Sequence, residues 1–204
     1  MFTSRRVLVG IAVVLAVVGL SACAKAPQDA INQAKTALDA AATAEAATYA
    51  PQAWESAQQA LNAATAEVEA QNAKFALTRS YKKASELLTT AQQAATAAQD
   101  EAASAKEQMR VAVEGAIATI EENLATADGL LESLAKCRRR PKGFAGDLEI
   151  MQGNVDGLRA QLGDVQAKAA EGNYFAANSM AEGLIEGLNA AVGDMENVKA
   201  KLGC

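Results

Sequence analysis

Residues 74–136 read KFALTRSYKKASELLTTAQQAATAAQDEAASAKEQMRVAVEGAIATIEENLATADGLLESLAK, and the spacing of their apolar positions decides the fold. Leu77, Tyr81, Ala84, Leu88, Ala91 and Ala95 open a series that continues through Ala98, Ala102, Ala105, Met109, Ala112 and Ala116 to Ile120, Leu124, Ala127, Leu131 and Leu134. The steps are three and four residues, at which side chains stack on one face of an α-helix and meet a neighbouring helix. No proline interrupts the series, so a single long helix from Lys74 to Lys136 is predicted.

Working outward, the same step recurs on both sides. Ile31, Ala34, Leu38 and Ala41 carry it from about Asp29 to Thr48, with Glu45 a departure near the end. Trp54, Ala57, Leu61, Ala64 and Val68 carry it from Pro51 to Gln71-Asn72. Beyond the connection Cys137–Gly143, a fourth segment holds Leu148, Met151, Val155, Leu158, Leu162, Val165 and Ala169. Glu171-Gly172-Asn173 turns the chain into a fifth, with Ala177, Ala181, Leu184, Leu188, Ala191, Met195, Val198 and Leu202. The three prolines, Pro27, Pro51 and Pro141, fall at the breaks, where the first turn of a helix tolerates them. Nothing alternates with a period of two.

The expected class is therefore all-α: an elongated antiparallel helical bundle of coiled-coil type with about five helices. Segments of about 20 residues before the long helix can pair only with its first third, and the two after it with its last third. That predicts two three-helix bundles sharing one long central helix, bounded at 29–95 and 110–204. Residues 96–109, rich in strong helix formers, are expected to stay helical with few partners as a strut or hinge. Phe75-Ala76 and Phe175-Ala176, Glu86 and Glu186, and Leu88 and Leu188 suggest a repeat at an offset near 100 residues, although alanine-rich helices match easily by chance.

The front of the chain has a different character. Arg5 and Arg6 precede an uncharged apolar stretch from Val7 to Leu20, then the small Ser21 and Ala22. That is a signal-peptide layout, and the stretch falls short of the about 20 residues needed to span a bilayer. Leu20-Ser21-Ala22-Cys23 resembles the bacterial lipobox, whose cysteine receives a diacylglyceryl group and becomes the new N-terminus. On this reading residues 1–22 are a signal peptide and 23–28 a tether lipidated at Cys23; the alternative is an ordinary cleavage site beside a free thiol. The resemblance implies a palmitate-type anchor, and Ala24 in place of Asp implies sorting to the outer membrane, facing the periplasm, in a Gram-negative host. Ser4-Arg5-Arg6 resembles a twin-arginine signal, but the very apolar stretch behind it favours ordinary export.

Removing residues 1–22 takes away two arginines and no acid, leaving 17 Lys+Arg against 24 Asp+Glu, a net charge of −7. An acidic surface argues against nucleic acid as a partner. The chain has no histidine, which excludes His-based general base catalysis, Ser/His/Asp triads and most zinc sites. No cofactor or metal site is read from the sequence, and no enzymatic activity is expected. The acidic pairs Asp100-Glu101 and Glu121-Glu122 are adjacent on a helix, point to different sides and make no catalytic dyad.

With Cys23 acylated, Cys137 and Cys204 remain, and an oxidising compartment favours a bond between them. The helix lengths agree, since the last helix returns Cys204 to the end where the long helix delivers Cys137; two free thiols or a bond to another chain are the alternatives. Arg138, Arg139, Arg140 and Lys142 cluster at the end expected to lie farthest from the lipid. They read either as a contact for carboxylates of the cell wall or an acidic partner, or as a solvated loop favouring the C-terminal end of the long helix. Gly153/Gly157 and Gly183/Gly187 have the small-xxx-small spacing that predicts close packing within the bundle. Tyr49, Trp54, Phe75, Tyr81, Phe144, Tyr174 and Phe175 are read as core anchors.

One resemblance covers residues 27–105. Ala34-x-x-Ala37-Leu38-x-x-Ala41, Tyr49-Ala50-Pro51, Ala57-x-x-x-Leu61-x-x-Ala64 and the Phe75-Ala76 start of the long helix resemble the bacterial envelope family built on the domain of unknown function numbered 4398. The resemblance implies an envelope location and a helical fold and supplies no catalytic residues. Members commonly are lipoproteins, and some carry a peptidoglycan-binding domain where this chain has further helices. The glycine usual in the turn before the long helix is absent. The functional expectation is a structural or scaffolding lipoprotein, held at the membrane by its N-terminal lipid and reaching toward peptidoglycan or an envelope protein, with self-association of the long helix as an open possibility. The alternative is a holdase or adaptor for peptides or lipids, which would show a large exposed apolar patch.

Overall fold

A computed structural model describes residues 25–204; the expected signal peptide and the expected lipidation site Cys23 lie outside them. Helix α1 spans Gln28–Thr43, α2 Ala46–Tyr49, α3 Pro51–Asn72, α4 Lys82–Ala135, α5 Phe144–Ala170 and α6 Tyr174–Leu202. A single 3-10 turn lies at Ala76–Thr78, and there is no strand among the described residues. The chain is all-α, as the three-and-four step requires. Contacts divide it into two compact units, Met1–Ala105 and Lys106–Cys204, each a three-helix arrangement to which α4 contributes one part.

Two departures from the expected segments have clear causes. The first segment does not continue to Thr48 but breaks at Ala44-Glu45, where Glu45 takes a left-handed φ of 60°. Glu45 occupied a stripe position, so a continuing helix would have aimed a carboxylate at the core, which is costly without a partner. The break instead reverses the chain and lays Ala46 and Ala50 against α3 and α4. The long helix starts at Lys82 and not at Lys74. The chain must reverse after α3, and residues 73–81 supply that turn although Leu77 is in step with the stripe.

In unit 1, Ile31, Val68, Tyr81 and Leu88 pack with Ala34, Ala64, Ala84 and Ala91. At the other end of its core the buried residues are all alanine, Ala41, Ala46, Ala50, Ala57, Ala95, Ala98 and Ala102, with Leu38, Tyr49 and Trp54 half-buried against them. Ala98 and Ala102 are fully buried there, so the stretch expected to be a partner-poor strut is packed at least as far as Ala102. Unit 2 has a larger core in which Val113, Ile120, Leu124 and Leu134 of α4 meet Val155, Leu162 and Val165 of α5 and Leu184, Leu188 and Met195 of α6. Val113, not Ala112, takes the core position, because the stripe steps four residues from Met109.

The glycines of unit 2 do not pack as their spacing suggests. A Cβ added at Gly153, Gly157 or Gly183 would meet nothing within 4 Å, whereas at Gly187 it would come within 3.2 Å of Leu158 Cδ2. One close approach is real, and the other three positions are open helix surface. A glycine in a helix interior costs about 0.5–1 kcal/mol relative to alanine. Gly157→Ala and Gly183→Ala should therefore each raise unfolding stability by about that amount, read from urea unfolding followed by circular dichroism. Ala98→Leu, which overfills the alanine core, should lower it by about 1–3 kcal/mol; a neutral result would show that this core is loosely packed.

Candidate functional site

Two connections bring together the residues singled out by chemistry. The first closes unit 2. Cys137 and Cys204 form a disulfide with their Cα atoms 5.6 Å apart, closing 67 residues of sequence between the end of α4 and the residues after α6. Cys137 is buried at 4% exposure, so the bond belongs to the core as much as to the surface. On a chain-entropy account, closing such a loop contributes about 4 kcal/mol by restricting the unfolded chain.

The basic residues beside the bond split into two roles. The Arg140 guanidinium donates to the carbonyl of Cys137 at 3.0 Å and to that of Ala135. It satisfies carbonyls left without partners where α4 ends and places a cation at the negative end of the helix dipole. Arg138 and Arg139 are exposed and border a shallow depression of about 540 Å³ with Ser133, Lys136 and Leu202. Lys142 is exposed, and after it Gly143, at φ 93°, turns the chain into α5. The anion-contact reading thus rests on Arg138, Arg139 and Lys142, while Arg140 has a structural task.

The second connection is the turn between α3 and α4, where the Arg79 guanidinium donates to the carbonyls of Lys74 at 2.9 Å and Asn72 at 2.8 Å. The Ser80 N–H donates to Gln71 Oε1 at 3.2 Å, and the Tyr81 hydroxyl to Asn72 Oδ1. Lys83 pairs with Glu67 at 2.8 Å, tying α4 to α3. The hydrogen bond from Lys83, with one from Gln71, holds the Glu67 carboxyl below its usual range. This glycine-free turn is thus held by side chains in place of a left-handed residue. Phe75, read as a core anchor, is 72% exposed, and Phe175 is exposed as well, whereas Tyr81 and Phe144 are buried as expected.

Sequence reasoning missed a third feature. Between α5 and α6 lies an open depression of about 420 Å³ walled by Phe144, Ile150, Met151, Ala191, Met195 and Val198, with Asp147 and Asp194 at its edge. Ile150 is out of step with the stripe of α5, and that signal marked it as a surface residue. Elsewhere on unit 2 the charges neutralise one another: Arg159 bridges Asp128 of α4 and Asp156 of α5, and the Asp128 carboxylate raises its pKa. Among the described residues no group of three or more Cys, Asp or Glu side chains is placed to hold a metal ion.

The split of the basic cluster sets up an expected contrast. Arg140→Ala should lower stability by about 1 kcal/mol through lost carbonyl caps. Arg138→Ser with Arg139→Ser should change it by less than about 0.5 kcal/mol yet reduce co-sedimentation with purified peptidoglycan. Unchanged sedimentation of that double variant would remove the anion contact.

The chain matches no family model, no curated protein and no solved structure.

Proposed function

We propose that the protein is a lipoprotein of the cell envelope with a scaffolding role, anchored by an acylated Cys23 and presenting its helical units to the cell wall or a partner complex. The observation that carries this reading is the fate of its three cysteines. Cys137 and Cys204 are joined, as suits an oxidising compartment, and the odd one, Cys23, directly follows a leader ending Leu20-Ser21-Ala22. Helix α1 begins at Gln28, so the tether between anchor and folded part is short. No helix among the described residues is long and apolar enough to cross a membrane, so the lipid would be the attachment. The partial resemblance of residues 27–105 to an envelope family adds to the same reading, as does the dispersal of the ion pairs over exposed helix surface.

Mass spectrometry of the protein isolated from membranes should find a diacylated or triacylated Cys23 at the N-terminus, and a photo-crosslinker at Arg139 should capture a single envelope component. An intact Met1 would overturn the anchor; a spread of unrelated neighbours would overturn the scaffold.

One observation favours a second reading, a binding module: the apolar depression between α5 and α6 is open to solvent and edged by two carboxylates. Nile red fluorescence should then rise on adding the protein and fall several-fold in Ile150→Asp with Met151→Asp. Equal fluorescence from both would dismiss this reading.

A further inference from the structure

Phe75 and Leu77, at 72% and 67% exposure, are the most exposed large apolar side chains among the described residues. They sit in the turn between α3 and α4, and that turn is not loose. Arg79 and Gln71 pin its backbone, Tyr81 joins Asn72 side chain to side chain across it, and Thr78 closes it by donating from both its N–H and its hydroxyl to the Phe75 carbonyl. The fold holds two apolar side chains outward in a fixed loop, where a core-building sequence would have turned them in.

Their electrostatic setting is unusual for this chain. From Ala70 to Ser85 there are four cations, Lys74, Arg79, Lys82 and Lys83, and no acid, in a protein of net charge −5. Only Lys83 pairs with a carboxylate, that of Glu67. Apolar tips flanked in sequence by lysines match the interface of an anionic bilayer, where apolar groups enter the headgroup boundary and cations meet phosphates.

The location agrees. The chain reverses between α1 and α3, so the start of α1, the end of α3 and the start of α4 share one end of unit 1. Ala26 packs against the same cluster as Val68 and Tyr81. Cys23 is three residues before Ala26, and an extended chain reaches at most about 3.6 Å per residue, so an anchor at Cys23 lies within about 11 Å of this end. We propose that the α3–α4 turn is a second membrane contact: Phe75 and Leu77 insert into the interface while Lys74 and Lys82 engage anionic phospholipid headgroups and Arg79 holds the turn in shape. This inference rests on the anchor reading for its geometry. It converts a one-point attachment into a two-point mount that fixes how unit 1 meets the membrane.

The test uses the processed full chain. With Cys23 acylated and Cys137 bonded to Cys204, Leu77→Cys offers one thiol for an environment-sensitive fluorophore, and Val111→Cys, at an exposed position of unit 2, a control site. In vesicles of phosphatidylethanolamine and phosphatidylglycerol, the probe at 77 should shift to the blue and be quenched several-fold more by brominated lipid than the probe at 111. Lys74→Glu with Lys82→Glu should reduce that quenching at least threefold while leaving the helical signal intact. A probe at 77 that reads water as at 111 overturns the proposal. So does a blue shift that appears without vesicles and grows with protein concentration, which would assign the turn to a second copy of the chain. The mass of Cys23 is measured on the same sample: an unmodified Cys23 rejects the anchor, and a lipid-quenched probe at 77 in the Cys23→Ser background then keeps the turn, whereas an acylated Cys23 with a water-exposed probe does the reverse.

Discussion

The apolar stripe of α4 is the constraint on which the rest of the structure depends. A helix of 54 residues with one continuous apolar face cannot leave that face in water, and each helix around it is placed by covering part of it. Tyr81 to Ala102 of the stripe is covered by α1, the short α2 and α3; Val113 to Leu134 is covered by α5 and α6. The polar residues then follow passively. Charges fall on the faces left over, where Lys83 pairs with half-buried Glu67 and Arg159 with exposed Asp128, linking α4 to its neighbours. Pairs of this kind usually contribute little to stability, so packing carries it.

The two cores use that stripe differently. Unit 2 buries Leu, Ile, Val and Met side chains, each worth about 1.5–3 kcal/mol when removed from water. The fully buried side chains at the alanine end of unit 1 are methyl groups, each worth about 0.8 kcal/mol, and this end relies on close approach of the helices and on half-buried Leu38, Tyr49 and Trp54 to recover dispersion contacts. Unit 2 offsets its many helical glycines with the larger side chains and the Cys137–Cys204 bond, while unit 1 has neither glycine nor disulfide among its described residues. The alanine end, with the smallest apolar gain per residue and a left-handed Glu45 at its rim, is where local opening should be least costly.

Much of this was legible because the helical period is a strong signal over long stretches. Leu88, Ile120, Leu184 and Leu188 were placed in the core correctly, and equal helix lengths brought Cys137 to Cys204 without any geometric information. What could not be read was set by competition between local and tertiary demands. Leu77 kept step with the stripe, yet the chain needed those residues to turn, and Arg79 and Asn72 stabilised the turn by contacts no pattern displays. Gly153 and Gly183 had the spacing of a packing motif on faces that meet nothing. Arg140 looked the same as Arg138 and Arg139 in sequence, and only the position of the Ala135 and Cys137 carbonyls separates it from them.

The chemistry that does stand out gathers at helix ends, and there is a physical reason for this. A helix in a bundle spends its apolar face on its neighbours and its flanks on solubility, so a cluster of like charges is most readily built where the backbone stops repeating. The α3–α4 turn and the Arg138–Lys142 connection are such places, and both are basic on an acidic chain. In each, one arginine, Arg79 or Arg140, is consumed in capping helix carbonyls. Its guanidinium holds the loop in one conformation, and the remaining cations are displayed from a fixed frame at little entropic cost. Contact with a flat anionic surface requires that rigidity, since each cation alone contributes little and only their simultaneous engagement is strong.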